Sequence, residues 1–393
     1  MFSVKYLLET LWKTLKIQVK TEGRKMKVKF NRAALAETLG LVTTVVPART
    51  TKPILQGLKI QVQKDQVYIS ATDFEIGITC LVPQAQVEEE GQAVVPAERL
   101  AAIVRESVDE VLAMDVSEAT CRIKGNDSNF TIYGYQPEQY PEVPGFDGGA
   151  HIEADLLKLQ EGIEHCLFAT AKENTRYALS GILWETSGKK LTLVGTDGRR
   201  LAKYKLNLNA EADKKIEAEK FIVPAKTMAL LDKVGAGEKD KVSVRFVDGK
   251  IILACGNVVI SSNLVEGTFP KYEDIIPADY KNKVQLNTAA TLSAVRRAAL
   301  ITNEDSKGVK LALGKKSLVF TSRAPEMGDA EIEMEVDYKG EPMEIGFNPQ
   351  FLVDVLRVIR EDSFELQLGQ SDRPGLIKSG ANFVYIVMPV SLS

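Results

Sequence analysis

One short motif recurs three times along the chain: an apolar or glycine-led approach, a proline, then apolar residues four and seven positions further on. It appears as Val94-Val95-Pro96 leading to Leu100 and Ile103, as Ile222-Val223-Pro224 leading to Met228 and Leu231, and as Gly346-Phe347-Asn348-Pro349 leading to Val353 and Leu356. The prolines lie 128 and 125 residues apart (224 − 96 and 349 − 224). Self-similarity at so long a period marks repeated whole domains, not a solenoid of short units. The chain reads as three tandem copies of one α+β domain.

Other landmarks recur in the same order. Each copy opens on an amphipathic helix, with apolar residues at steps of three or four: Leu35, Leu39, Val42 and Val46; Leu156, Leu159 and Ile163; Leu292, Val295 and Ala299. A strand-like run follows, over 53–58, 177–183 and 308–313, and then β-rich segments carrying Thr72-Asp73 and Thr196-Asp197. The proline then starts a second helix, its ring pre-setting φ where no N–H partner is lost. Each copy closes on an apolar-proline step, at Tyr140-Pro141, Phe269-Pro270 and Met388-Pro389. Loop-forming residues place linkers over 144–149 and 276–280. The expected boundaries are an N-terminal extension over 1–25 and domains over 26–147, 148–279 and 280–393.

The extension has apolar residues at helical spacing, but Lys5, Glu9, Lys13 and Lys16 interrupt every run, which excludes a signal peptide or a membrane span. Met26-Lys27-Val28 reads as the natural start of the first copy. With 393 residues, 45% of them apolar, each third can bury its own core. Four scattered cysteines without CxxC spacing fit reduced thiols in a cytoplasmic protein, and two histidines, His151 and His165, supply neither a metal site nor a catalytic triad. Thr196-Asp197-Gly198 before Arg199-Arg200 has the look of a carboxylate beside a phosphate clamp. The nearest glycine-rich loop, Gly235-Ala236-Gly237-Glu238-Lys239, lacks any phosphate-loop continuation, however, so no enzyme, metal or cofactor is expected. A sequence-specific DNA-binding module would need a recognition helix, and none stands out.

Several strings together resemble the bacterial DNA sliding clamp, the β subunit of DNA polymerase III. They are the run from Arg49 to Leu55, the run from Thr196 to Ala202, Phe269-Pro270-Lys271-Tyr272, the run from Met343 to Asn348, and Tyr385-Ile386-Val387-Met388-Pro389. The resemblance runs from Met26 to the C-terminal end. It implies a head-to-tail homodimer whose six domains form a ring, helices lining the interior and sheets outside, around duplex DNA read without sequence preference. It also implies a nucleoid-associated processivity factor that tethers the replicative polymerase, is opened by an ATP-dependent clamp loader, and serves other proteins bearing a clamp-binding motif.

A ring explains the charge. The formal net charge is −3, from 50 basic and 53 acidic residues, which is wrong for a protein that grips DNA over a broad face. If topology does the holding, the inner wall need only be mildly positive. On the proline-started helices Lys226, Arg105 and Lys233 fall opposite the apolar positions, while Arg357 and Arg360 fall nearer the buried edge. By resemblance Arg49 and Lys52, before Pro53-Ile54-Leu55, and Arg176 and Tyr177 are further DNA contacts, suited to phosphate and sugar. Ala178 stands where the family often has a second aromatic.

The resemblance also implies a cleft for a short apolar partner peptide. Its positions are Leu179, Thr196, Gly198, Arg199, Arg200, Leu201, Pro270, Ile275, Ile386, Val387, Met388, Pro389, Val390 and Leu392. Arg199 replaces a common histidine, and the chain ends Val390-Ser391-Leu392-Ser393 where the family has Met-Arg-Leu. The implied dimer contact sets Leu300 and Ile301, after the third copy's first helix, against the partner's strand Phe130-Thr131-Ile132.

Overall fold

The computed structural model describes residues 25–172, 177–209, 219–237, 239–277, 280–302, 308–325 and 327–391. The expected extension, apart from Lys25, lies outside them, as do Arg176, the Tyr177 side chain and Leu392. Among the described residues, four antiparallel sheets and six α-helices form within two compact units.

In the first unit, one sheet runs β5 (Ala85–Glu89), β1 (Lys25–Asn31), β7 (Val111–Ser117), β8 (Thr120–Lys124), β9 (Asn129–Tyr133). An eight-stranded sheet runs β10 (Ile152–Asp155), β15 (Lys241–Val247), β16 (Lys250–Cys255), β17 (Val258–Asn263), β4 (Ile76–Leu81), β3 (Gln66–Thr72), β2 (Gly57–Gln63), β6 (Gly91–Pro96). In the second unit, another eight-stranded sheet runs β14 (Lys220–Pro224), β11 (Gly181–Ser187), β12 (Lys190–Thr196), β13 (Arg200–Asn207), β25 (Phe383–Val387), β24 (Gly375–Ser379), β23 (Ser363–Leu368), β18 (Asn282–Asn287). The last sheet runs β21 (Gly328–Glu335), β20 (Ser317–Ala324), β19 (Val309–Leu313), β22 (Met343–Phe347).

The three sequence copies therefore pack as two units, because the middle copy is shared. Its strands β10, β15, β16 and β17 extend the first copy's sheet through β17–β4, and β14, β11, β12 and β13 join the third copy's sheet through β13–β25. Backbone hydrogen bonding makes each joint a continuous sheet, so packing does not follow the linkers.

The helices are α1 (Arg32–Val42), α2 (Ala97–Glu106), α3 (Leu156–Leu167), α4 (Ala225–Asp232), α5 (Thr288–Ala299) and α6 (Pro349–Val358). Asparagine caps three of them: Asn31 accepts from Ala34 N at 3.0 Å, Asn287 from Ala290 N at 2.9 Å and Asn348 from Gln350 N at 2.9 Å. Leu35, Leu39 and Val42 are buried on α1, and Leu156, Leu159 and Ile163 on α3, as their spacing predicts. On α5 the buried stripe is Thr291, Ala294, Val295 and Ala298, leaving Leu292 and Ala299 half-buried, and Val46 lies beyond α1. Small residues carry that stripe, so the large apolar side chain is a poor guide there.

Two further expectations are corrected. Only Pro349 occupies the first helical position; Pro96 and Pro224 still belong to β6 and β14, paired with Gly57 and Gly181. Those glycines permit the close approach, since a Cβ on Gly57 would lie 2.6 Å from Val94 Cγ1 and one on Gly181 2.4 Å from Val223 O. The runs over 53–58 and 177–183 also begin as 3₁₀ turns, Pro53–Gln56 and Tyr177–Leu179, before the strands start.

Candidate functional site

The Thr-Asp strings build the same turn twice. In the first copy Thr72 Oγ1 donates to Ile76 O at 2.9 Å and accepts from Phe74 N at 3.0 Å, while Asp73 Oδ1 accepts from Glu75 N and Ile76 N at 3.0 and 2.8 Å. In the second, Thr196 Oγ1 donates to Arg200 O at 2.6 Å and accepts from Gly198 N at 3.1 Å, and Asp197 Oδ1 accepts from Arg199 N and Arg200 N at 2.9 and 3.0 Å. The third residue needs a left-handed backbone, φ 87° at Gly198 and 75° at Phe74, which glycine adopts without strain.

Arg200 sits behind the second turn, 7% exposed. Its Nε donates to Asp197 Oδ2 at 3.0 Å, Nη1 to Asp354 Oδ2 at 2.7 Å and Nη2 to Phe168 O at 2.7 Å. The guanidinium also lies 4.5 Å from the Phe351 ring centroid. Burial alone would lower its pKa, but these carboxylates outweigh that and raise it. A guanidinium with these partners is a clasp between the end of α3, the turn and α6.

The other expected cleft residues divide by exposure. Leu179, Leu201 and Ile386 are buried in one cluster with Leu183, Val194, Ile222, Phe269, Tyr272 and Leu376, and Thr196 and Val387 are buried as well. The β13–β25 register brings Arg199 beside Met388, whose N–H donates to Arg199 O at 2.9 Å, and Val390 N donates to Gly346 O at 2.9 Å. Gly198, Arg199 and Pro270 are exposed, Met388 is 38% exposed and Ile275 44%, while Pro389 and Val390 are half-buried. A buried apolar floor thus carries a few exposed apolar and cationic groups, the makeup of a site for an extended apolar peptide.

Among the cations, Arg49, Lys52, Arg105, Lys226, Lys233 and Arg357 are exposed. Lys52 Nζ stands 4.6 Å over the Phe74 ring. Arg360 is exposed too, but its Nη2 donates to Glu164 Oε2 at 2.6 Å, so its charge is offset locally. Arg296 and Arg297, in the last turn of α5, are exposed cations that the proline-helix pattern did not select. Reading every helix for charge opposite its buried stripe would have found them. No cluster of three or more metal-ligating side chains occurs among the described residues.

At the sheet ends, Phe130 and Ile132 share one face of β9 and pair with the buried Ile123 and Cys121. Ile132 is covered at 3% exposure, but Phe130 is left 38% exposed, and Leu300 after α5 is 71% exposed. Ile301 is half-buried.

Profiles of the three domains of the DNA polymerase III beta subunit match in order, the N-terminal over 26–144, the central over 153–271 and the C-terminal over 273–391. The chain belongs to this sliding-clamp family. It is 32% identical over 370 residues to the beta sliding clamp of Pseudomonas putida, covering 93% of this chain and 100% of that one. To the Chlamydia muridarum clamp it is 30% identical over 371 residues, covering 93% and 99%. The crystal structure of the Bacillus subtilis sliding clamp aligns with a TM-score of 0.88 at 26% identity, covering 94% of this chain and 100% of that one. That of the Pseudomonas aeruginosa clamp bound to griselimycin aligns at 0.86 and 30%, covering 93% and 100%. Three tandem clamp domains of mixed helix and sheet, acting as a non-catalytic processivity clamp for DNA polymerase III, are thereby established for the chain. No helix among the described residues is long and apolar enough to cross a membrane.

Proposed function

We propose that two copies of this chain close head to tail into a ring that encircles duplex DNA and tethers the replicative polymerase to it. The observation that carries this is the repeated joint. The fourth strand of one half-sheet, β4 or β13, pairs with the closing strand of the next copy, β17 or β25. The third copy's counterpart, β21, and the first copy's, β9, each lie unpaired at a sheet edge. An exposed edge is a template for another strand, and here two matching edges remain on one chain. Pairing β21 of one protomer with β9 of its partner uses both of these matching edges on each protomer and closes the assembly.

Charge and apolar exposure support the same contact. Asp329, Glu331, Glu333 and Glu335 alternate along the exposed face of β21, while β8, beside β9, exposes Arg122 and Lys124. Phe130 on β9 and Leu300 after α5 are large exposed apolar groups, and an interface would cover them. The exposed helix cations, Arg105, Lys226, Lys233, Arg296, Arg297 and Arg357, supply a mildly positive wall for phosphates. The exposed group Arg199, Pro270, Ile275 and Met388 receives the partner peptide of polymerase, clamp loader and other clients, with Met388 able to repack around different sequences.

Solution mass tests the closure. Light scattering should give a dimer of 43.2 kDa chains, and Glu331→Lys with Glu333→Lys should give folded monomers. Adding Arg122→Glu and Lys124→Glu to the same chain should restore the dimer. A monomeric parent chain, or a dimer indifferent to both changes, would refute the head-to-tail contact.

A further inference from the structure

The two internal sheet joints are copies of each other, and the one in the first unit contains a cavity. Cys80 pairs with Val258 across β4–β17, and Tyr204 with Phe383 across β13–β25. The equivalence is fixed by local offsets: 124 between copies one and two over the first helix and the strands up to this joint, ahead of the prolines (196 − 72 for the Thr-Asp turns, 204 − 80 here), and 125 between copies two and three from the prolines onward (349 − 224 for the prolines, 383 − 258 here).

Side chains fill this place in the second unit. The His165 ring on α3 lies 4.6 Å from Phe383 and 5.0 Å from Tyr204, centroid to centroid. The Tyr204 phenol hydrogen-bonds to Glu161, and Arg360 pairs with Glu164 at 2.6 Å. In the first unit the same offsets put Leu41 for His165, Cys80 for Tyr204, Val258 for Phe383, Gly40 for Glu164 and Gly235 for Arg360. Leucine for histidine is close to an even exchange of volume, and the other four replacements are all smaller. A Cβ built on Gly40 or on Gly235 would meet nothing within 4 Å. What remains is a cavity of about 390 Å³ lined by all five of these residues, within the roughly 300–1,000 Å³ range of small-molecule sites.

One polar member of the second-unit cluster has been kept. Glu37 is the counterpart of Glu161 (161 − 37 is again 124), and it lines the cavity without the phenol that Glu161 holds. It has no hydrogen-bond or ion-pair partner among the described residues. Asp240 adds a second carboxylate to the lining, against one cation, Lys233. The apolar wall is Leu41, Val258 and the thiols of Cys80 and Cys255, which burial keeps neutral by pushing both up to about 12. Polarizable sulfur is a favourable neighbour for an aromatic ring.

We propose that this cavity binds a small aromatic amine, its ring taking the place filled by Tyr204 and Phe383 in the other joint and its ammonium group pairing with Glu37. Such a ligand braces α1 against β17 and stiffens this joint without touching the partner-peptide residues.

Tyramine serves as the probe and 4-ethylphenol as its uncharged counterpart, each titrated against the full chain by saturation-transfer NMR and thermal shift. Tyramine should saturate one site at millimolar concentration and raise Tm. Glu37→Gln, an exposed and conservative change, should weaken tyramine about fivefold, as loss of a partly solvated charge-assisted contact does, and leave 4-ethylphenol unchanged. Gly40→Glu with Gly235→Arg, which rebuilds the ion pair of the other joint, should abolish binding of both probes and raise Tm in their absence. Absence of saturation, undiminished binding in the filled variant, or equal tyramine affinity in Glu37→Gln would each overturn the proposal.

Discussion

Arg200 shows how a residue suited to ligand chemistry becomes structural. Its guanidinium is buried against Asp197, Asp354 and the Phe168 carbonyl, and removing one side of such a set leaves a buried charge unpaired. Arg200→Met should cost about 3 kcal/mol in denaturant unfolding, and Arg200→Lys should recover little of it, because a point charge cannot reproduce the fork. The sequence displays Arg200 beside Asp197 and repeats the Thr-Asp pair, but the turn that pair builds was not read from the spacing. Nor are Asp354 and Phe168 legible as partners, since only the folded sheet brings them within reach. The cysteines carry a second prediction. Burial pushes the Cys121 thiol from an ordinary 9.0 up to about 12. A thiol whose pKa is raised in the folded state contributes stability fully below pH 9, and that contribution is lost as pH rises from 9 toward 12. Stability measured across pH 8 to 11 should fall less steeply in Cys121→Ala than in the parent chain.

At the scale of elements, the proposed assembly rests on the edge strands and the short segment after α5. Leu300→Ala with Ile301→Ala should shift the protein to folded monomers at nanomolar concentration, because losing two aliphatic anchors typically costs about 2 kcal/mol or more. Sedimentation at that concentration checks it, and a persisting dimer would move the interface elsewhere. The partner site calls for different substitutions from those its sequence pattern suggests. Leu179 is 2% exposed and belongs to the core, so truncating it would report on stability. Met388 and Ile275 present the accessible surface, and Met388→Ala with Ile275→Ala should weaken a micromolar polymerase peptide, of about −8 kcal/mol, by roughly 2 kcal/mol. Calorimetry on the folded dimer measures that loss directly. Helix positions were readable wherever large apolar residues mark the buried stripe, as on α1 and α3. On α5, threonine and alanine carry the stripe, and hydropathy spacing misplaced it by one residue.

For the whole molecule, the proposed ring predicts a topological hold that separates binding from ionic strength. Protein loaded on closed circular duplex should survive a salt wash that strips ordinary phosphate contacts, whose affinity falls steeply with salt, and should leave linear duplex by its ends. Equal retention on both templates would contradict a ring. The triple repeat was legible because its punctuation, the proline in all three copies and Thr-Asp in two, is local. The merging of the middle copy into both neighbours was not, because strand pairing across β17–β4 and β13–β25 joins residues far apart in the chain. That merging constrains how the protein is made. During synthesis the edge of β4, complete at Leu81, waits for Val258 to be added, and β13 waits from Asn207 until Phe383. At ribosomal speeds of about 5–20 residues per second, each edge stands open for roughly ten to forty seconds. The nascent chain thus spends most of its synthesis with one unsatisfied β-edge or another, and a ribosome that stalls short of Phe383 releases a product whose second sheet cannot be completed.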